Sequence, residues 1–157
     1  MLPLLEDDIY KSILYESMQY VNTKYSAVII SYVFMPNHIH FIICFEKKNK
    51  LIEYMRDFKK FTSYKITRTM RSVEGKKSLD PLHYQHRQQV LKVWQDRFDD
   101  LYLFTTKILL IKLNYIHENP VRKKLCDEPS DYKHSSAAFY LRDETPLMPI
   151  THFTQIV

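Results

Sequence analysis

The chain has 157 residues, of which 45% are hydrophobic, 14% aromatic and 26% charged, with a formal net charge of +5, the profile of one soluble globular domain with enough apolar material for a core. A single glycine, Gly75, excludes a phosphate-cradling GxxxxGK[ST] loop and a GxGxxG dinucleotide turn, and the distant cysteines Cys44 and Cys126 exclude a CxxC zinc finger or a disulfide scaffold. No run of about 18 apolar residues offers a membrane span, and the start, Met-Leu-Pro-Leu-Leu before Glu6, Asp7 and Asp8, lacks the basic flank of a signal peptide, so a cytoplasmic setting without membrane contact is expected.

In chain order, Ile9, Ile13, Leu14, Met18 and Val21 recur at helical spacing from Asp7 to about Val21. Ala27–Phe34 (AVIISYVF) is β-branched and aromatic and reads as a strand. Met35-Pro36-Asn37 makes a tight connection to a second strand, His38–Phe45 (HIHFIICF), so the two pair as a hairpin. Asn49 is an N-cap for a helix from Lys50 to about Met70, with Leu51, Met55, Phe58 and Phe61/Thr62 on its inner face. Arg71–His83 reads as a polar loop and Val93–Phe104 as a further strand. Thr105 or Thr106 caps a helix through Ile108, Leu109, Ile111 and Ile116 that Pro120 ends. Val121–Leu125 and Ser135–Leu141 are short helices, and residues 143–157 form an irregular tail behind a single domain of residues 1–142. This pattern is an α+β domain with a small antiparallel sheet and helices packed on it.

Charge is concentrated. Residues 47–77 carry eleven Lys and Arg against three acids, a local balance of +8, so the remainder is net −3. Such a stretch suits a polyanion, although a solvated helix face has the same composition.

Two short patterns carry chemistry. In His38-Ile39-His40 the two imidazoles share one face of a strand, about 6.6 Å apart along it, a spacing at which both can reach one ion. The same pattern also describes two partly exposed strand histidines. Cys44 shares their parity but lies roughly 13 Å from His40 by strand rise, which leaves it to the core. In Tyr115-Ile116-His117-Glu118-Asn119-Pro120, a phenol and an amide stand one helical turn apart. A phenol has a pKa of about 10 and becomes a useful nucleophile toward phosphate when cationic charge lies near the phosphate.

Together MPNHIHF (Met35–Phe41), VWQDRF (Val93–Phe98), YIHENPVRKKL (Tyr115–Leu125) and DEPSDYKHSS (Asp127–Ser136) resemble, in order, the REP-associated tyrosine transposases. That group is a branch of the single-tyrosine transposases named for a histidine–hydrophobic–histidine motif, and the likeness covers roughly residues 25–140. The resemblance implies a ferredoxin-like antiparallel sheet with helices packed on one face. It implies His38 and His40 as a metal-binding pair, Tyr115 as nucleophile, and Asn119 as a further ligand where relatives carry glutamine. It also implies a divalent ion, Mg²⁺ or Mn²⁺, with no nucleotide cofactor. The activity implied is cleavage and rejoining of single-stranded DNA beside hairpins through a 5′-phosphotyrosine intermediate, by a monomer or a homodimer. Family members begin with a strand before the first helix, central in their sheet, whereas this chain begins almost at that helix.

Arg56, Lys59, Lys60, Lys65 and Arg68 on the long basic helix, with Arg122 and Lys123, are candidates to track phosphates, and Trp94, Tyr64 or Tyr102 to stack unpaired bases. Two other functions remain open at this level. One is a transposase-derived nucleic-acid-binding protein without cleavage activity; the other, a zinc hydrolase, needs a third ligand that the sequence does not locate.

Overall fold

The computed structural model describes residues 4–73 and 92–156. Helix α1, Asp8–Tyr25, starts where the Asp7 carboxylate accepts the Ile9 N–H at 2.9 Å and buries Tyr10, Ile13, Leu14, Met18 and Val21. It stops at Ser26, whose left-handed backbone (φ 48°) lets its N–H reach the carbonyls of Asn22 and Thr23. Strands β1, Ala27–Phe34, and β2, Ile39–Phe45, follow as an antiparallel hairpin, closed by a bond from Met35 N–H to the His38 carbonyl at 2.9 Å. Helix α2 is Leu51–Val73, α3 is Thr106–Arg122 and α4 is Ala137–Arg142.

The hairpin separates two apolar clusters. On one face α1 and α2 bury Leu14, Met18, Tyr54, Phe58 and Ile66 against Ile29, Tyr32 and Phe34. On the other, α3 lays Leu109, Leu113 and Ile116 over Ile30, Val33 and Ile42. Burying a side chain such as Phe58 contributes roughly 1.5–3 kcal/mol. A bulge between Ile29 and Ser31 interrupts the pairing. Because strand side chains alternate, the extra residue Ile30 reverses the parity beyond it. Tyr32 and Phe34 thereby join Ile29 on the α1–α2 side, and Ser31 turns toward α3, where it meets His117.

The outer edge of β1 is covered. Phe34 N–H bonds the His134 carbonyl, Ser136 N–H the Tyr32 carbonyl and Thr151 N–H the Ile29 carbonyl, at 2.8–3.0 Å. The tail from residue 143 therefore packs on the domain, with Met148 buried. Among the described residues, no backbone hydrogen bond reaches the outer edge of β2, and the sheet has two strands. The architecture is α+β, a short antiparallel sheet with helices packed on it, as the sequence indicates; the helices lie on both faces, α1 and α2 on one and α3 on the other, where the resemblance implies one face. Among the described residues no helix is long and apolar enough to cross a membrane.

Several local expectations are corrected. Val93–Phe104 forms no strand: its carbonyls at Gln95, Asp96 and Arg97 receive the Lys59 ammonium (2.8, 3.3 and 3.3 Å) and the Trp94 Nε1–H donates to Thr62 Oγ1 at 2.7 Å. These side-chain bonds tie residues 94–97 to α2 in place of a ladder. Asn49 is not an N-cap, because its φ of 60° is left-handed, and Lys50 supplies the first helical carbonyl, to Tyr54 N–H at 2.9 Å. Pro120 does not end α3, which runs on to Arg122, so Val121–Leu125 is no separate helix. Proline removes the N–H that would bond Ile116, and the Asn119 amide supplies donors instead, to the carbonyls of Tyr115 (2.7 Å) and Ile116 (3.4 Å). The stop comes at Lys124, left-handed at φ 57°, with Leu125 N–H bonded to the Pro120 carbonyl and Lys124 N–H to that of Val121. Of the expected loop Arg71–His83, the first three residues belong to α2, and the rest lie outside the described residues.

Candidate active site

The hairpin turn delivers His38 just before β2, and β2 carries His40 two residues on, opposite Val33. The parity that sends Ile42 into the α3 cluster turns both imidazoles toward α3. Their ring centroids lie 4.9 Å apart, nearly perpendicular, and the Tyr115 ring stands 5.9 Å from that of His40. Tyr115 reaches this position because Leu109, Leu113 and Ile116 press one stripe of α3 onto the hairpin. Tyr115, next to Ile116, stays at the rim and is 40% exposed. The structure thus brings together three side chains from two elements.

Both histidines have the form a metal needs. Burial, with the Lys123 ammonium as a smaller cause, holds His38 below the ordinary imidazole value. Burial and then the neighbouring His38 do the same for His40. Each is thereby biased toward the neutral form, which keeps a lone pair. The His38 Nδ1–H donates to Asn37 Oδ1 at 2.6 Å, which leaves Nε2 as the coordinating nitrogen. Among the described residues no cluster of three or more His, Cys, Asp or Glu side chains could hold an ion. The two imidazoles would offer an ion two nitrogen donors, with its other positions left to oxygen from water or substrate. Asn119 is buried and its nitrogen is committed to its own helix, so Oδ1 is the atom it could offer a metal.

The cations nearest the phenol come from its own helix. The Arg122 guanidinium lies 4.9 Å from the Tyr115 ring centroid and the Lys112 ammonium 5.4 Å, within cation–π range. Lys123 is exposed and acts on His38. The basic helix α2 packs on the opposite face of the hairpin, and several of its charges are engaged. Arg56 pairs with Asp57 at 3.1 Å, a carboxylate that also takes Lys24 and Tyr25, Lys65 pairs with Glu16 at 3.0 Å, and Lys59 caps the carbonyls of residues 95–97. Lys60 and Arg68 are exposed. Trp94 is half-buried against Phe58 and bonded to Thr62, so its ring is built into the fold, whereas Tyr64 and Tyr102 are exposed. Sequence reasoning missed Lys112 and Asn37. The first lies at i−3 from Tyr115, a helical neighbour, and the second precedes His38, so spacing alone could have flagged both.

A sequence model of the family described as "Transposase IS200 like" matches residues 3–118. No curated protein and no solved structure matches the chain. The matched span takes in the hairpin with His38 and His40 and most of α3 with Tyr115, and covers well over half of the sequence. The chain belongs to the IS200-like transposase family.

Proposed function

We propose that this transposase-family protein, of the REP-associated branch, cleaves and rejoins single-stranded DNA beside hairpins through Tyr115, with a divalent ion at His38 and His40. The observation that carries the reading is the approach of the Tyr115 ring to within 5.9 Å of His40, itself 4.9 Å from His38. A phosphate seated between them would lie beside both the nucleophile and the imidazoles. Tyr115 Oη forms a bond to phosphorus as the phosphorus–O3′ bond breaks. The phenol proton passes to solvent and the departing 3′ oxygen takes one up. The DNA 5′ end is then esterified to Tyr115, and a 3′-hydroxyl can reverse the step at the same or another junction, so bond energy is conserved without a nucleotide cofactor. When bound, Mg²⁺ or Mn²⁺ supplies charge neutralisation at the phosphate oxygens. His38, oriented by Asn37, and His40 hold the ion, Asn119 Oδ1 is a further donor, and Arg122 and Lys123 attract the flanking phosphates.

The test is incubation with tailed hairpin DNA and Mn²⁺, followed by electrophoresis under denaturing conditions. The wild-type protein forms a covalent adduct; Tyr115→Phe forms none and binds DNA nearly as well. An adduct in Tyr115→Phe refutes the nucleophile. Binding without any wild-type adduct indicates a nucleic-acid-binding protein that has lost cleavage.

A further inference from the structure

Leu109, Leu113 and Ile116 of α3 make an apolar seam with the hairpin, and a polar junction is buried beside it. There the bulge turns Ser31 inward, and three side chains from separate parts of the chain close a polar triangle. Ser31 Oγ and His117 Nε2 are 3.1 Å apart, His117 Nε2 and Ser136 Oγ 2.8 Å, and Ser31 Oγ and Ser136 Oγ 3.1 Å. Ser136 Oγ also accepts the Tyr32 N–H at 3.0 Å and contacts the Tyr32 carbonyl at 3.3 Å. His117 is 4% exposed and both serines are buried. The imidazole further packs against Tyr140, whose hydroxyl donates to the Ile30 carbonyl at 2.8 Å, on the bulge itself.

Apolar contacts such as those of Leu113 within the hairpin cluster are non-directional and allow a helix to roll or slide at small cost. A hydrogen-bonded triangle has one geometry. His117 lies two residues from Tyr115 on the same rigid helix, so whatever fixes the azimuth and axial position of one fixes the other. Its partners belong to β1 and to the segment bonded along the edge of β1, and β1 in turn sets the register of β2 with its histidine.

We propose that His117, held by Ser31 and Ser136, is a positioning residue that sets the rotation and register of α3 and thereby the approach of Tyr115 to His38 and His40. The proposal rests on the reading of Tyr115 as nucleophile. His117 is buried, so its polar ring fills the junction at a desolvation cost an aliphatic side chain would not incur. Alignment is what it supplies in return.

The experiment uses the full chain as wild type, His117→Ala, His117→Gln, Ser31→Ala and, as a control, Leu14→Ala, which damages the other core. Three quantities are read: the rate constant of adduct formation at saturating DNA, the DNA dissociation constant, and hydrogen exchange of α3 amides. His117→Ala should slow adduct formation by up to about a hundredfold, the scale of a 1 Å misplacement, with affinity within about threefold. Its α3 amides should exchange faster while those of α1 do not. His117→Gln, whose amide reaches the position of Nε2, should recover most of the rate. Leu14→Ala, under conditions where it is folded, should keep the wild-type rate constant. Should His117→Ala fail to fold, Ser31→Ala, which removes one side of the triangle, decides the matter in the same readouts with a smaller loss. A His117→Ala or Ser31→Ala rate constant equal to wild type, or slowed only as much as in Leu14→Ala, overturns the proposal. If wild type forms no adduct, the nucleophile reading fails. Exchange then decides the triangle: faster α3 exchange in Ser31→Ala upholds it and unchanged exchange refutes it.

Discussion

Lowering the pH from 7.5 to 4.5 should destabilise the wild-type protein by about 2–3 kcal/mol more than a His117→Gln variant, which keeps an amide at the junction and has nothing to titrate there. The folded state holds the His117 pKa near 4, against an ordinary value of 6.5, because burial penalises the imidazolium. Between those values the unfolded chain binds a proton that the folded chain does not, so stability rises with pH across this window. The contribution is intact above the unfolded value, falls as the pH drops toward 4, and levels once both states are protonated. A gap of two to three units corresponds to about 3 kcal/mol at 1.36 kcal/mol per unit, a sizeable part of the roughly 5–15 kcal/mol that holds such a domain together. His38, His40 and His134 are also pushed down by burial and tilt the curve in both proteins, which is why the difference between them isolates His117. The measurement is urea unfolding at closely spaced pH, with free energies from linear extrapolation. A wild-type minus variant difference that stays flat from pH 7.5 to 4.5 would show that the imidazole is not desolvated as the triangle requires.

Three further outcomes can be checked. Metal affinity at His38 and His40 should persist below the ordinary imidazole pKa and be lost only at lower pH, since burial lowers both values; His38→Ala should remove it, and a Mn²⁺ titration unchanged by that substitution would refute the ligand pair. Lys60→Ala should flatten the slope of log DNA affinity against log salt by somewhat less than one unit, as for a single phosphate contact to single-stranded DNA. Lys59→Ala should leave that slope alone and instead expose residues 95–97 to proteolysis, because the Lys59 ammonium is spent on their carbonyls. Asn119→Ala should cost about 1 kcal/mol, seen as a lower urea midpoint and faster exchange in the last turn of α3, because the Tyr115 carbonyl loses its side-chain donor.

Some of this protein was decided by short-range chemistry and could be read in one dimension. The alternation of AVIISYVF and HIHFIICF, the tight Met35-Pro36-Asn37 connection and the stripe Leu109, Leu113, Ile116 specify a hairpin and an amphipathic helix, because backbone sterics and side-chain period act over a few residues. The same rules place His38 and His40 on one face of a strand. Other features depend on which distant groups become neighbours, and no local pattern contains that information. Val93–Phe104 has strand composition, yet residues 94–97 are tied to α2, because Lys59 and Thr62 of α2 take up their polar groups. Pro120 looks like a helix stop, but the Asn119 amide makes good the donor that proline removes. Arg56 and Lys65 read as free cations and have carboxylates waiting from Asp57 and Glu16.

The bulge at Ile30 shows the division most sharply. By strict alternation Ser31 would share a face with Ile29; one extra residue turns it to the other side, where His117 and Ser136 lie 86 and 105 residues away in sequence. The sequence by itself therefore determined the hairpin, the amphipathic helices and the residue types they carry. Only the tertiary structure decided which charges stay available to a ligand, how α3 packs on the hairpin, and that the Tyr115 ring comes to rest beside His40. Covalent geometry acts along the chain, whereas burial and hydrogen-bond satisfaction are settled across it.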